Sequence, residues 1–162
     1  MRIRNAKPED FAAIEKLYAI AKEKMMKTGN LTQWKEGYPS GKNIEEDLKK
    51  NALFILEDYY PFGVFTFIIG EEPTYKKIQG AWLNDEEYGT LHRIASSGVR
   101  KGVFSETIKF CERIICNIRI DTHADNKIMQ HLIEKSGFEH CGIITVADGT
   151  ERFAYQKTNR KV

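Results

Sequence analysis

The chain has 162 residues, 41% of them hydrophobic, 30% charged and 11% aromatic. That length suits one domain, expected here to span 1–162. The composition excludes a disordered chain, a collagen-like fibre and a disulfide-stapled miniprotein. Lysine and arginine number 25 against 23 aspartates and glutamates, a formal net charge of +2, so the basic excess of a protein built to hold duplex nucleic acid is missing.

Ile3 opens a short strand. Pro8-Glu9-Asp10 suits a helix start, because proline is at home in the first turn and acids favour the positive end of the dipole. Phe11, Ile14, Leu17, Tyr18, Ala21 and Met25 then recur at spacings of three and four, which predicts a helix with one apolar face, ending near Thr28-Gly29-Asn30. Residues 30–42 read as a loop carrying Trp34 and Tyr38, and Asn43 is expected to cap a helix over 44–50. Strands are predicted over 52–57 and 63–69, around a turn at 58–61. Residues 70–85 read as a loop. A strand over 90–96, broken at Gly98, leads to a helix over 103–116 with Phe104, Ile108, Cys111 and Ile115 on one face. A strand over 117–122, a helix over 126–135 closed by Ser136-Gly137, and strands over 138–146 and 152–156 complete the chain. The order β-α-α-β-β-β-α-β-α-β-β predicts an α/β layered domain with a mixed sheet.

No apolar run approaches the roughly 20 residues that cross a membrane. Met1-Arg2-Ile3-Arg4 leads into charged residues rather than an apolar signal core. Cys111, Cys116 and Cys141 are odd in number and contain no Cys-x-x-Cys pair. A disulfide framework and a structural zinc site are therefore not expected, and a reducing cytoplasm is.

Two stretches carry chemistry. The first, residues 91–105, is a strand, a glycine-bearing loop and a helix start. Such a loop can aim several backbone N–H groups at one point, where the helix dipole favours a phosphate. Gly98 and Gly102 allow close approach, and Arg100 and Lys101 add charge. The bland alternative is an ordinary strand-to-helix turn with two exposed basic residues. The loop has no Walker lysine and is a poor dinucleotide fingerprint. In the second stretch, Asp121, His123 and Asp125 alternate at a strand end. Only one is a nitrogen ligand and nothing completes a shell, so no metal is expected. Asp125 and Asn126 suit helix capping instead.

Element order, the loop 98–105 and the pattern Asn126-x-x-Met129-x-x-Leu132-x-Glu134-Lys135-x-Gly137-Phe138 resemble the GNAT superfamily of acyl-CoA-dependent N-acetyltransferases over nearly the whole chain. Gln33-Trp34-x-x-Gly37-Tyr38-Pro39, His92-Arg93-Ile94-Ala95 and the stretch from Arg119 to His123 resemble an uncharacterised bacterial branch of it. The resemblance implies a three-layer fold, a mixed central sheet of about six to seven strands flanked by about four helices. It implies acetyl-CoA as co-substrate, no metal, and direct transfer of acetyl to a primary amine of a small molecule or peptide, without an acyl-enzyme.

The backbone of Ile94, Ala95 and Ser96 would then lie beside the pantetheine arm. The loop of Gly98, Val99, Arg100, Lys101, Gly102, Val103, Phe104 and Ser105 would wrap the pyrophosphate, and Asn126 would help hold the arm. Three departures from the family pattern stand out. Val99 replaces an Arg or Gln. Phe104 replaces a second glycine, which predicts a wider loop with Arg100 and Lys101 supplying the charge. Ile133 replaces the tyrosine that many members use to protonate the leaving thiolate.

His92, ahead of His123, is the candidate base for the ammonium, since imidazole titrates near pH 6.5; the alternative is that a strand histidine is structural, the commoner role for one. Trp34, Glu36 and Tyr38 are the candidate wall for a cationic acceptor, with the alternative that the aromatics merely pin their loop. Two further classes stay open: a non-catalytic acyl-CoA-binding module of the same fold, and an interaction domain using Lys22, Lys24, Lys27, Arg100 and Lys101. The sequence leaves the oligomeric state open, a homodimer included.

Overall fold

A computed structural model describes residues 1–159. The strands are β1 (Arg2–Asn5), β2 (Leu53–Glu57), β3 (Pro61–Ile69), β4 (Gln79–Gly80), β5 (Gly89–Ser96), β6 (Asn117–Thr122), β7 (Glu139–Thr145) and β8 (Glu151–Thr158). The helices are α1 (Phe11–Lys27), α2 (Gly41–Lys49), α3 (Val103–Ile114) and α4 (Lys127–Lys135), with short 3-10 turns at Pro8–Asp10 and Pro73–Tyr75. The strands form one sheet in the order β1-β2-β3-β5-β6-β8-β7-β4. Every neighbouring pair is antiparallel except β5 and β6, which run parallel.

Period-two alternation divides the sheet into two buried faces. Phe54 and Leu56 of β2, with Phe65 and Phe67 of β3, pack on the α3 and α4 side against Phe104, Ile108, Cys111 and Ile133. Leu53 and Ile55 of β2, with Val64 and Ala95, pack on the α1 and α2 side against Ile14, Leu17, Tyr18 and Ile44. The three-layer mixed α/β arrangement expected from the sequence is therefore present.

Three local expectations need correction. The sheet has eight strands rather than six to seven, because residues 79–80 pair with Ile143 and Gly142 of β7. That pairing is close: a Cβ on Gly80 would fall 2.1 Å from the Cys141 carbonyl oxygen, and one on Gly142 would fall 2.0 Å from that of Gln79. Helix α2 begins at Gly41, capped by Ser40 rather than Asn43. Ser40 Oγ accepts from the Asn43 N–H at 3.3 Å, and Asn43 Oδ1 accepts from the Ser40 N–H at 2.8 Å, a reciprocal box. Phe104 does not widen its loop. It lies in the first turn of α3, only 6% exposed, with its ring in the core.

Two irregularities in β5 set up the interior. Its parallel pairing with β6 stops after Leu91 opposite Ile120, and the two strands then diverge. On its other edge β5 follows β3 to Ser96, but the register jumps between Thr66–His92 and Val64–Ala95, leaving one extra residue on β5. Arg93 sits in this bulge at φ 46°. The bulge places two consecutive side chains on one face. Thr66, opposite His92, donates to Asp47 of α2, and Arg93 also bonds Asp47, while Leu91 and Ile94 pack on the other side of the sheet.

Candidate active site

The fork between β5 and β6 opens into two clefts that share Met25, Ile94, Asn126 and Met129. The first, of about 930 Å³, runs from the fork to the start of α3. Ile94, Ala95 and Ser96 form one wall, Asn126, Met129 and Leu132 the other, and Gly98 with Arg100 to Ser105 close the end. From His92 onward, the edge of β5 that faces β6 has no strand partner among the described residues. Its backbone donors and acceptors line the opening as an unpaired sheet edge.

At the far end Gly102 is the N-cap of α3, at φ 79°, and no side chain caps the helix. The first N–H groups of an α-helix have no acceptor within it, and they carry the positive end of the dipole. Arg100 is ion-paired with Asp58, which also holds the N-terminal amine at 2.7 Å. Lys101 has no acid partner among the described residues. Val99 is 80% exposed and does not line the cleft. Ile133 is fully buried in the core and lines neither cleft, so α4 presents Met129 and Leu132 there instead.

The second cleft, of about 600 Å³, lies on the α1 and α2 side of the fork. His92 and Asp121 are the first residues of β5 and β6 beyond the last paired position, so they flank its mouth. His92 Nε2 lies 3.2 Å from Glu72 Oε2. The hydrogen bond from His92 holds the Glu72 carboxyl down to about 2, with burial opposing and the Thr74 amide and hydroxyl assisting. Arg93 grips Asp47 through three bonds of 2.7 to 3.1 Å and donates to the Tyr38 hydroxyl at 3.1 Å. Burial opposes the Arg93 charge, but Tyr38 and Asp47 outweigh it and hold its pKa above the ordinary value. Asp121 accepts from the Tyr75 hydroxyl at 2.6 Å.

Of the aromatic loop, Trp34 is 7% exposed, edge-on to Tyr18 at 5.6 Å and to Tyr38 at 6.4 Å. It pins the loop and also lines the cleft. Tyr38 also lines the cleft, whereas Glu36 is exposed outside it. Asn126 caps α4, accepting from the Met129 N–H at 3.0 Å and donating to Gln33 Oε1 at 3.1 Å. His123 is engaged at both nitrogens, by the Asp125 N–H at 3.0 Å and the Thr32 hydroxyl at 3.2 Å, so it serves as a brace.

Sequence reasoning missed Asp47, Glu72 and Arg152. Asp47 had a signal: it lies three residues after Ile44, which puts an acid on the buried face of a short helix. Glu72 and Arg152 had none, since a loop and a strand register bring them to the cleft.

No protein-family model matches the chain, and no curated protein does. Solved structures do. A GNAT-family acetyltransferase from Streptococcus agalactiae is 33% identical, with 99% of this chain and 96% of that chain covered, at a TM-score of 0.87. A GNAT-family acetyltransferase from Listeria monocytogenes is 20% identical over 98% and 94% of the two chains, at 0.73. A chain of the NatC complex, solved with Gag peptide and CoA, shares the fold at 13% identity over 98% of each chain, at 0.64. With one third of its residues matched along essentially its whole length by the streptococcal protein, and with a parallel fork leading to an uncapped helix, the chain belongs to the GNAT family of acetyltransferases.

Proposed function

We propose that residues 1–162 act as one catalytic domain, moving an acetyl group from acetyl-CoA to a primary amine of a small molecule or peptide in a reducing cytoplasm. The observation that carries this is the fork: an unpaired β5 edge runs between two connected clefts toward an uncapped helix start. The donor set fits the co-substrate. A strand edge suits the amides of a pantetheine arm, and the N–H groups of 103–105 with Lys101 suit a pyrophosphate. Acetyl-CoA supplies an activated acyl carbon.

The chain's own residues would do the rest. Ile94, Ala95 and Ser96 align the arm, and Asn126, fixed by Gln33 and by capping α4, holds its inner end. A backbone N–H of the β5 edge near Ala95 polarises the acyl oxygen. His92, oriented by Glu72, takes the proton from the ammonium, which has an ordinary pKa near 10. Trp34 and Tyr38 wall the acceptor cleft. Direct transfer needs no cysteine nucleophile, and Cys111 is buried in the core.

The test is thiol release from acetyl-CoA over a panel of primary amines. The reading predicts turnover that falls about 100-fold or more in kcat/KM for His92→Ala, with acetyl-CoA binding retained. Tight acetyl-CoA binding with no turnover on any amine would contradict it and favour a binding module.

A further inference from the structure

Three arginines are held inside the fold, and their charges are balanced differently. Arg93 has the Asp47 carboxylate. Arg119 lies 4.1 Å from the Trp82 ring centre and 3.9 Å from that of Tyr88, a cation held between two aromatic faces. Arg152 has neither. It is 5% exposed and lines the acceptor cleft. Its Nη1 donates to Thr150 Oγ1 at 2.8 Å and to the Glu151 carbonyl at 2.9 Å, and its Nη2 reaches the Gln33 carbonyl at 3.5 Å. All three acceptors are uncharged. Among the described residues no carboxylate lies within 4.0 Å of its guanidinium. Asp148 reaches it only through the Thr150 hydroxyl, and Asp148 is itself paired with Lys35.

A guanidinium has five N–H donors in a planar fork. Three are used here, which leaves donors for an incoming anion. A buried charge without a counter-ion is costly, and a ligand that supplies the counter-ion recovers that cost on binding. Asp121 is the complementary case: among the described residues its side chain's only partner is the Tyr75 hydroxyl, and it has no cation. Asp121 stands opposite Ala154, so Arg152 lies two residues along β8 on the same face, at the roughly 7–8 Å spacing of a diagonal pair. The other acids lining the cleft are matched: Asp47 by Arg93, Glu72 by His92, Asp148 by Lys35 and Glu46 by Lys42. Arg152 is also tied to the fork, because Gln33 touches it through its carbonyl and touches Asn126 through its side chain.

We propose that the acceptor carries a carboxylate as well as the amine, and that Arg152 binds the carboxylate while Asp121 draws in the ammonium. The proposal rests on the transferase reading of this cleft and narrows its substrate class to amino acids and short peptides with a free C-terminus.

The experiment pairs each acceptor with its carboxamide: α- and ω-amino acids against their amides, and tripeptides with free against amidated C-termini. The free-acid members should exceed the amides by about 10- to 100-fold in kcat/KM, the range of charge-assisted hydrogen bonds. Arg152→Gln should erase that ratio mainly through KM, and Arg152→Lys should restore part of it. Thermal stabilisation by acetyl-CoA should be the same in all three proteins, which also shows that the variants fold. A preference confined to amino acids or to tripeptides identifies which source the cleft takes. Equal rates on acids and amides, or a preference that survives Arg152→Gln, would overturn the proposal. If the parent turns over no amine, calorimetric binding of the same pairs decides separately. Acid-selective binding lost in Arg152→Gln would support the Arg152 site while contradicting the transferase reading. Equal binding, or none, would overturn the Arg152 site.

Discussion

At the scale of single residues, the proposed chemistry concentrates on His92 and the groups that aim it. The Glu72 carboxylate fixes one imidazole nitrogen at 3.2 Å, in the manner of a base oriented by a third group. The same contact makes a stability prediction. The hydrogen bond from His92 brings the Glu72 carboxyl from an ordinary 4.5 down to about 2. A lowered carboxyl adds stability that is fully present above its unfolded value and is lost as pH falls through the folded one. Glu72→Gln should therefore lower stability near neutrality by about 1 kcal/mol, a modest figure because the pair is partly solvated. The gap between parent and variant should close as pH drops from 4.5 toward 2. Denaturant midpoints across that range measure it, and a gap independent of pH would contradict the assignment. His92 was visible in the sequence as a polar residue leading into a glycine loop. Glu72 and Arg152 were not, because a loop residue gives no periodic signal, and a strand residue's counter-ion, or lack of one, depends on which strands pair.

At the scale of elements, the bulge in β5 and the start of α3 carry the proposed site. Alternation gave the strand but not the bulge, which is held by the Arg93–Asp47 pair some 46 residues apart in sequence. The loop after β5 was legible from Gly98, Gly102 and the helix that follows. Its departure from the family pattern was read as a steric problem at Phe104, whereas the first turn of α3 simply turns that ring into the core. Strand β4 went unseen because two residues cannot show a period, and Gln79–Gly80 is a strand only through its contact with β7. Gly102 offers the cleanest test at this scale. It stands at φ 79° with open space where a Cβ would be, so a side chain is resisted by the backbone rather than by a neighbour. A β-branched residue there should cost about 1–2 kcal/mol in the loop and force it out of the shape that presents the α3 N–H groups. Gly102→Val should weaken acetyl-CoA binding at least about 10-fold. Arg100→Ala should weaken it less, because Arg100 is committed to Asp58. Calorimetric titration of both variants checks the order, and the reverse order would contradict the role given to this loop.

At the scale of the whole molecule, the sheet acts as a partition with a controlled opening. Its two faces are sealed by α1 with α2 and by α3 with α4, and the one parallel pair among the described residues is where it parts. The β2–β3 and β7–β8 pairs are tied through short turns, but β5 and β6 are joined across α3, so they can diverge after three paired positions without breaking a hairpin. The two clefts thereby meet at Ile94, Asn126 and Met129. This layered order was legible from the succession of helical and alternating segments, while the partition itself came from a register that no local pattern encodes. The most direct measurement is a backbone amide shift map of the isotope-labelled protein titrated with acetyl-CoA. The largest shifts are expected at 92–96, at 101–105 and at Asn126, with the β1–β2 edge silent. Shifts confined to other surfaces, or none at saturating acetyl-CoA, would contradict the account.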